Sequence, residues 1–315
     1  MSLNPSPLRV STMTVSGHLG AIPDLERLYT HCAFIPYWLP EEGVIKIKYG
    51  GAMRGICSED ILHSTAKAKS RFFNQASMVF RLQLTANDGG RWKETNIKLF
   101  KNGSFQMTGI NSEEMARAAL TRMIALNHTA DRAIWPADAQ PHITKFNVCM
   151  MNSDYNVGAA IRRDRLYTIL VKEYGLWSNF EPTIYQGVNT KYFWNDARPT
   201  GAPPGICACP AQCEGDGDGH GIGRCKKITI SPFRTGSVIV TGAKELRQLQ
   251  DAYDFLNGIL AKYATEVLRP NEPAVEAPAP RTKRLQPAPT NAVEILRLKK
   301  QSSPRALIKT AVATQ

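Results

Sequence analysis

One ten-residue stretch of this chain occurs twice, and no other feature restricts the fold so much. Phe-Lys-Asn-Gly-Ser-Phe-Gln-Met-Thr-Gly at 100–109 returns as Phe-Arg-Thr-Gly-Ser-Val-Ile-Val-Thr-Gly at 233–242. Phe100/Phe233, Gly103/Gly236, Ser104/Ser237, Thr108/Thr241 and Gly109/Gly242 are identical, each pair 133 residues apart. Each copy reads as strand, tight turn, strand, and each is followed by a helix. In the first copy Asn111-Ser112-Glu113-Glu114 offers a capping side chain and an acidic first turn, with Met115, Ala118, Ala119, Arg122 and Met123 at helical spacing. In the second, Leu246, Leu249, Ala252, Tyr253, Leu256 and Leu260 make the stripe.

The repeat extends upstream. Val10-Ser11-Thr12-Met13-Thr14 lies over Val148-Cys149-Met150-Met151-Asn152, each followed by a helix-like segment, Leu25 to Cys32 and Ile161 to Tyr174. Phe73-Asn74-Gln75 lies over Tyr185-Gln186-Gly187. The register then requires two insertions, one at about 35–71 in the first copy, including an added strand over 44–49, and a Cys/Gly/Pro-rich one at about 199–225 in the second. We expect a first repeat over 1–135, a second over 136–268, and from 269 a disordered basic tail that holds seven of the 20 prolines, with a short helix as an option over 292–300.

Charge narrows the partners. The formal net charge is +12, and about half of the excess lies in the last 47 residues, which favours polyanions. A hydrophobic share of 43% excludes a wholly disordered chain. No apolar run reaches the ~18 residues of a membrane span, so we expect a soluble, unsecreted, membrane-free protein. Seven cysteines, four of them within 19 residues, do not form a secreted disulfide framework.

Strand, helix, antiparallel strands, Thr-Gly and long helix, twice over, resembles the TATA-box-binding protein family. So do the motifs: Phe-x-x-Gly-x-x-x-x-Thr-Gly in both halves, Thr-Gly-Ala-Lys at 241–244, and Phe180-Glu181-Pro182-x-x-Tyr185-x-Gly187. The resemblance covers roughly 8–262, and the insertions and basic tail look like the divergent copies of large double-stranded DNA viruses. It implies an α+β fold in which a curved antiparallel sheet carries helices on its convex face, as a monomer with internal pseudo-twofold symmetry. It also implies a transcription initiation factor that grips and bends A·T-rich double-stranded DNA through the minor groove, in partnership with initiation factors or RNA polymerase. A viral copy would work in the host nucleus or a cytoplasmic viral factory.

By motif, Phe100 and Phe233 match one member of each pair of family wedge residues, Tyr185 the other in the second half, and Phe73 or Gln75 its first-half counterpart; Phe73 is preferred because a wedge is apolar. Alternation from each Phe places Asn102, Ser104, Gln106 and Thr108, and Thr235, Ser237, Ile239 and Thr241, on the groove face, with Val10, Thr12, Val148 and Met150 on the first strands. Ser104 and Ser237 stand where the family has groove-facing lysines.

Cys207, Cys209, Cys213 and Cys225 supply four thiolates, enough for a tetrahedral structural zinc, with His220 as a substitute ligand and a reduced, unliganded loop as the alternative. Glu214-Gly-Asp216-Gly-Asp218 is a poor calcium loop, lacking the later bidentate Glu. Scattered histidines and a glycine run that opens no helix give no catalytic constellation, so no enzyme is expected. An architectural or adaptor protein, or the DNA-docking part of a DNA-processing enzyme, are the rival readings.

Overall fold

The computed structural model describes residues 3–62, 72–84 and 91–269. Its elements are β1 (Arg9–His18), α1 (Leu25–His31), β2 (Gly43–Tyr49), β3 (Ala52–Gly55), α2 (Ser58–Leu62), β4 (Gln75–Gln83), β5 (Trp92–Phe100), β6 (Ser104–Ile110), α3 (Glu113–Ala130), β7 (Lys145–Asn156), β8 (Ala160–Ile161), α4 (Arg163–Lys172), β9 (Ser178–Asn179), β10 (Asn189–Trp194), β11 (Lys226–Pro232), β12 (Ser237–Ala243), α5 (Leu246–Lys262), α6 (Ala264–Val267) and β13 (Leu268–Arg269). Eleven strands form one sheet in the order β3-β2-β4-β5-β6-β1-β7-β12-β11-β10-β9, every neighbour antiparallel, so the fold is α+β.

The centre of that sheet has an internal twofold. Across β1 and β7, Val10 pairs with Ser153 and Val15 with Val148; Thr12 pairs with Asn152 and Thr14 with Met150; Arg9 pairs with Asp154 and Ser16 with Asn147. Each pairing becomes its partner when residues of β1 are exchanged for those 138 positions later in β7, and Met13 opposite Met151 marks the axis. Even the irregularities obey it. The register slips at Ser11 and again at Cys149, the same position of the two strands, where a bulge adds one residue and turns the alternation over.

One face of the sheet is closed. Phe105, Met107, Ile97 and Leu99 of the first half and Val238, Val240, Ile228 and Ile230 of the second are buried against the helices. Each such side chain contributes roughly 1.5–3 kcal/mol when fully removed from water. The Thr-Gly that ends each copy has a backbone reason. Gly109 and Gly242 take φ of 81° and 94°, which only glycine adopts without strain, and the resulting bulge returns Ile110 and Ala243 to the core side three residues after Met107 and Val240.

The helices form where the sequence places them, with a rotated face in α3. Ser112 accepts from the Met115 amide, as a cap should. The expected Ala119 and Met123 are buried, together with Ala116, Leu120, Ile124 and Asn127, whereas the expected Ala118 is exposed and Arg122 reaches out to pair with Glu42 at 2.7 Å. In α5 the expected Leu249, Ala252, Leu256 and Leu260 are buried, whereas Leu246, in the first turn, is exposed. The helix expected to start at 161 runs Arg163–Lys172. The added strand is found as β2, with β3 beside it. The expected tail from 269, and the optional helix over 292–300, lie outside the described residues apart from Arg269 itself, which pairs with Ala160.

Candidate nucleic-acid interface

The long helices α3 and α5 pack on the core face, and the registers order the side chains of the other face into rows. Nearest the axis in the first half are Asn96, Thr108, Thr14 and Met150; the next row holds Lys98, Gln106, Ser16 and Asn147; Phe100 stands beyond it. The second half repeats this as Thr229, Thr241, Asn152 and Thr12, then Ser231, Ile239, Asp154 and Arg9, with Phe233 beyond. The face is mainly small, polar and hydrogen-bonding. Successive rows are two residues apart, roughly 6.8 Å along the strands.

Several expected positions fall on this face and others do not. Thr12, Met150, Ser104, Gln106, Thr108, Ser237, Ile239 and Thr241 lie on it, partly or fully exposed. Val10 and Val148 do not: the bulges at Ser11 and Cys149 invert the alternation, and both valines pack against the core. Asn102 and Thr235 sit in the β5–β6 and β11–β12 turns. There Asn102 Oδ1 accepts from the Ser104 amide and the Thr235 hydroxyl donates to Ser237 Oγ. Uninterrupted alternation cannot anticipate either effect. Asn147, Asn152, Ser16, Lys98 and Lys191 also face the open side, although the motifs do not single them out; for Asn147 the bulge at Cys149 is the missing signal.

The four aromatic positions are not core residues. Phe100 and Phe233 are half-buried, while Tyr185 and Phe73 are 40% and 58% exposed. In the second half the Tyr185 ring meets Phe233 edge-on, with centroids 5.7 Å apart. In the first half Gln75 is the register partner of Phe100, and Phe73 stacks edge-on against Tyr49 of β2 at 5.9 Å. The insertion thus supplies Phe73 with a ring partner that the second half lacks.

Two lysines of the open face have opposite settings. Lys98 is exposed on β5. Lys191 of β10 donates to Thr229 Oγ1 at 2.8 Å and lies over the Trp177 ring, and burial together with the nearby Lys227 ammonium lowers its pKa.

The Cys-rich insertion leaves β10 and returns as β11. Sγ atoms of Cys207 and Cys213 are 3.4 Å apart, those of Cys209 and Cys225 3.5 Å, and those of Cys225 and Cys207 3.7 Å; all four lie within 4.8 Å of one another. A disulfide needs about 2.05 Å, whereas a tetrahedron of ~2.3 Å metal–sulfur bonds has S···S edges of about 3.8 Å. The donor set therefore fits a tetrahedral metal. The Gly223 amide donates to Cys209 Sγ and Asn195 Nδ2 to Cys225 Sγ, orienting two sulfurs. Burial raises the Cys207 thiol, yet bonds from the Cys213 and Cys209 amides and from neighbouring thiols outweigh it and bring it down to about 6; burial pushes Cys225 the other way.

His220 is not part of this quartet. Its Nδ1 lies 2.6 Å from Asp196 and its Nε2 2.7 Å from Glu245, so both ring nitrogens are taken. Asp218 pairs with Arg224, and Asp216 lies 3.8 Å from Lys227, which leaves the Glu214–Asp218 run no convergent set of carboxylates. Among the described residues the four cysteines are the one metal-competent cluster.

The first insertion reaches the open face too. Ser58 donates through its amide and hydroxyl to Glu94, and Arg81 donates to the carbonyls of Tyr37, Leu39 and Glu41. Beneath, the Lys46 ammonium is 2.5 Å from Asp60 in a site where both are largely shielded from water. Burial raises the Asp60 carboxyl, but bonds from Lys46 and Cys57 more than reverse that and hold it at about 2.

No family model matches the chain. It is 27% identical over 276 residues to a protein of Acanthamoeba polyphaga mimivirus described as TATA-box-binding protein-like, covering 84% of this chain and 68% of that one. The chain thus resembles a viral relative of the TATA-box-binding protein family along most of its length, as its motifs do. Among solved structures, Methanococcus jannaschii TBP aligns with a TM-score of 0.43 at 16% identity, over 82% of this chain and 99% of that one. No described helix is long and apolar enough to cross a membrane.

Proposed function

We propose that the chain is a DNA-binding transcription initiation factor that sets its open sheet face into the minor groove of A·T-rich duplex DNA and bends it, as a binding protein and not a catalyst. One observation carries this reading: the open face is a twofold-related array of small polar side chains with an exposed aromatic site at each end. A minor groove offers mostly acceptors in a pattern that repeats for A·T and T·A, and short hydroxyl and amide side chains match it. Tyr185 with Phe233 at one end, and Phe100 with Phe73 at the other, unstack the terminal steps; flexible TA steps are favoured there. The viral relative's description and the internal twofold support a single chain spanning one site, with initiation factors or RNA polymerase docking elsewhere on it and action in the host nucleus or a viral factory.

In the second half the four cysteines hold one zinc that closes the 199–225 loop. The sulfur spacing supports it, and elemental analysis of the purified protein should return about one zinc per chain. Residues 270–315 add phosphate contacts, so their deletion weakens binding and flattens the dependence of log affinity on log salt while leaving sequence preference unchanged.

The decisive experiment replaces Phe100 and Phe233 together by Ala and measures duplex bend angle, affinity and thermal melting. Loss of bend and affinity with cooperative melting retained is the expected result. A variant that binds and bends like the parent removes the wedge mechanism. One that fails to melt cooperatively makes these aromatics structural.

A further inference from the structure

Lys98 has an uncharged counterpart in Ser231, and next to the dyad one hydrogen-bonded pair also breaks the twofold of the open face in charge. Asp154 stands in β7 where Ser16 stands in β1, and Arg9 where Asn147 stands. Both Asp154 oxygens accept from the same Arg9 nitrogen, at 2.9 and 2.8 Å, and the side chains are 38% and 73% exposed. The pair lies between the row nearest the axis and Phe233, beside Ile239, which has no hydrogen-bonding group.

A carboxylate can only accept, and Arg9 uses two of its roughly four lone-pair positions. The minor groove presents acceptors at every base pair and a single donor, the exocyclic amino group of guanine. Over A·T, Asp154 faces acceptors alone. Over G·C it receives the amino proton, while the N–H groups Arg9 has left donate to the flanking acceptors. The Ser16 hydroxyl donates or accepts and so discriminates little.

We propose that Arg9 and Asp154 read one G·C pair on one side of the dyad, giving a nearly symmetric protein a fixed orientation on its DNA. This inference rests on the minor-groove reading above. Its test uses the full chain and a panel of A·T-rich duplexes in which each position in turn is changed to G·C, with affinities measured at one salt concentration. The expected result is one off-centre position where G·C binds about 10-fold tighter than A·T, with no mirror-image counterpart. Asp154→Ser abolishes that preference and raises affinity for the all-A·T duplex. The transplant Ser16→Asp with Asn147→Arg creates a second preferred position, mirrored through the dyad, and tests the idea even if Asp154→Ser fails to fold. A wild-type protein that binds the panel with A·T preferred throughout, or an unchanged profile for Asp154→Ser, overturns the inference and leaves minor-groove binding standing. Failure of the wild type to bind any duplex overturns both.

Discussion

The two insertions enter their halves at different points of the chain and arrive at the same corner. In the first half, Arg81 and Glu94 are register partners, and the segment from Tyr37 to Leu62 closes over them. In the second half, Phe193 and Lys227 hold the corresponding positions. There the cysteine loop returns to them: the Lys227 amide donates to the Gly215 carbonyl, the Lys227 ammonium to the Glu214 carbonyl, and the Phe193 amide to the Gly205 carbonyl. One corner is covered by an extra strand pair with its own small apolar cluster of Ile45, Cys57 and Val79 around a shielded ion pair. The other is covered by a loop with few apolar residues and four convergent sulfurs. A loop too small for a core needs another source of order, and a metal on the four sulfurs is the source proposed above.

Removing that source should have the largest effect of any single perturbation of the two corners. Chelation, or Ser at Cys207, Cys209, Cys213 and Cys225, is expected to expose 199–225 to hydrogen exchange and proteolysis while β4–β6 keep their protection. Equal protection with and without zinc would mean that the loop is held by its backbone bonds alone, and the contrast between the corners disappears.

The first corner should fail differently. Lys46→Met leaves the Asp60 carboxylate without its ammonium in a shielded site, and breaking one side of such a pair costs roughly 3–5 kcal/mol. Replacing both, as Lys46→Met with Asp60→Leu, should recover most of the loss in chemical denaturation. A small loss from Lys46→Met alone would show that water reaches the site.

Much of the fold is legible in the sequence, and the failures on the two central strands have one physical cause. A motif repeated 133 residues apart, with helix stripes after it, is enough to pair β5–β6 with β11–β12 and to place α3 and α5. The open face of β6 and β12 follows from simple alternation, which those strands obey until Gly109 and Gly242. On β1 and β7 a bulge interrupts alternation, and it is invisible in composition: Ser11 and Cys149 look like ordinary strand residues. Alternation alone therefore assigns Val10 and Val148 to the wrong face and passes over Arg9 and Asn147. Cysteine spacing names the right four ligand candidates because thiols have few other reasons to cluster. Nothing in the sequence indicates that Phe73 finds Tyr49.

That last contact leaves the proposed wedges of the two halves unequally supported. Tyr185 and Phe233 support one another, whereas Phe100 has Gln75 beside it and Phe73 is engaged by the insertion. Phe233→Ala should consequently weaken duplex binding more than Phe100→Ala, by about 10-fold between them, given the few kcal/mol involved in unstacking a step. Tyr49→Ala frees Phe73 and should narrow the difference. Equal losses from the two Phe variants would mean that the rings act independently of their neighbours.

The smallest effect concerns how the second corner is tied to α5. His220 lies between Asp196 and Glu245, with its amide donating to Asp218 and its ring edge-on to Trp194. Bonds to Asp196 first, then Glu245, raise its pKa to about 9, above the ~6.5 of an unperturbed imidazole. A group whose pKa is raised by folding stabilises the protein fully below its unfolded value and loses that contribution as pH climbs through the folded one. The stabilisation from His220 is thus complete below about pH 6.5 and fades toward pH 9 and beyond, the opposite of acid lability. Since the imidazolium and both carboxylates are partly exposed, the effect is modest and screened by salt. His220→Gln removes the charge and keeps a hydrogen-bonding group, so the melting-temperature gap between wild type and variant should be widest near about pH 6 and close above about pH 9. A gap independent of pH would assign His220 a packing role against Trp194, and a gap that widened with pH would mean the imidazole is neutral in the folded protein.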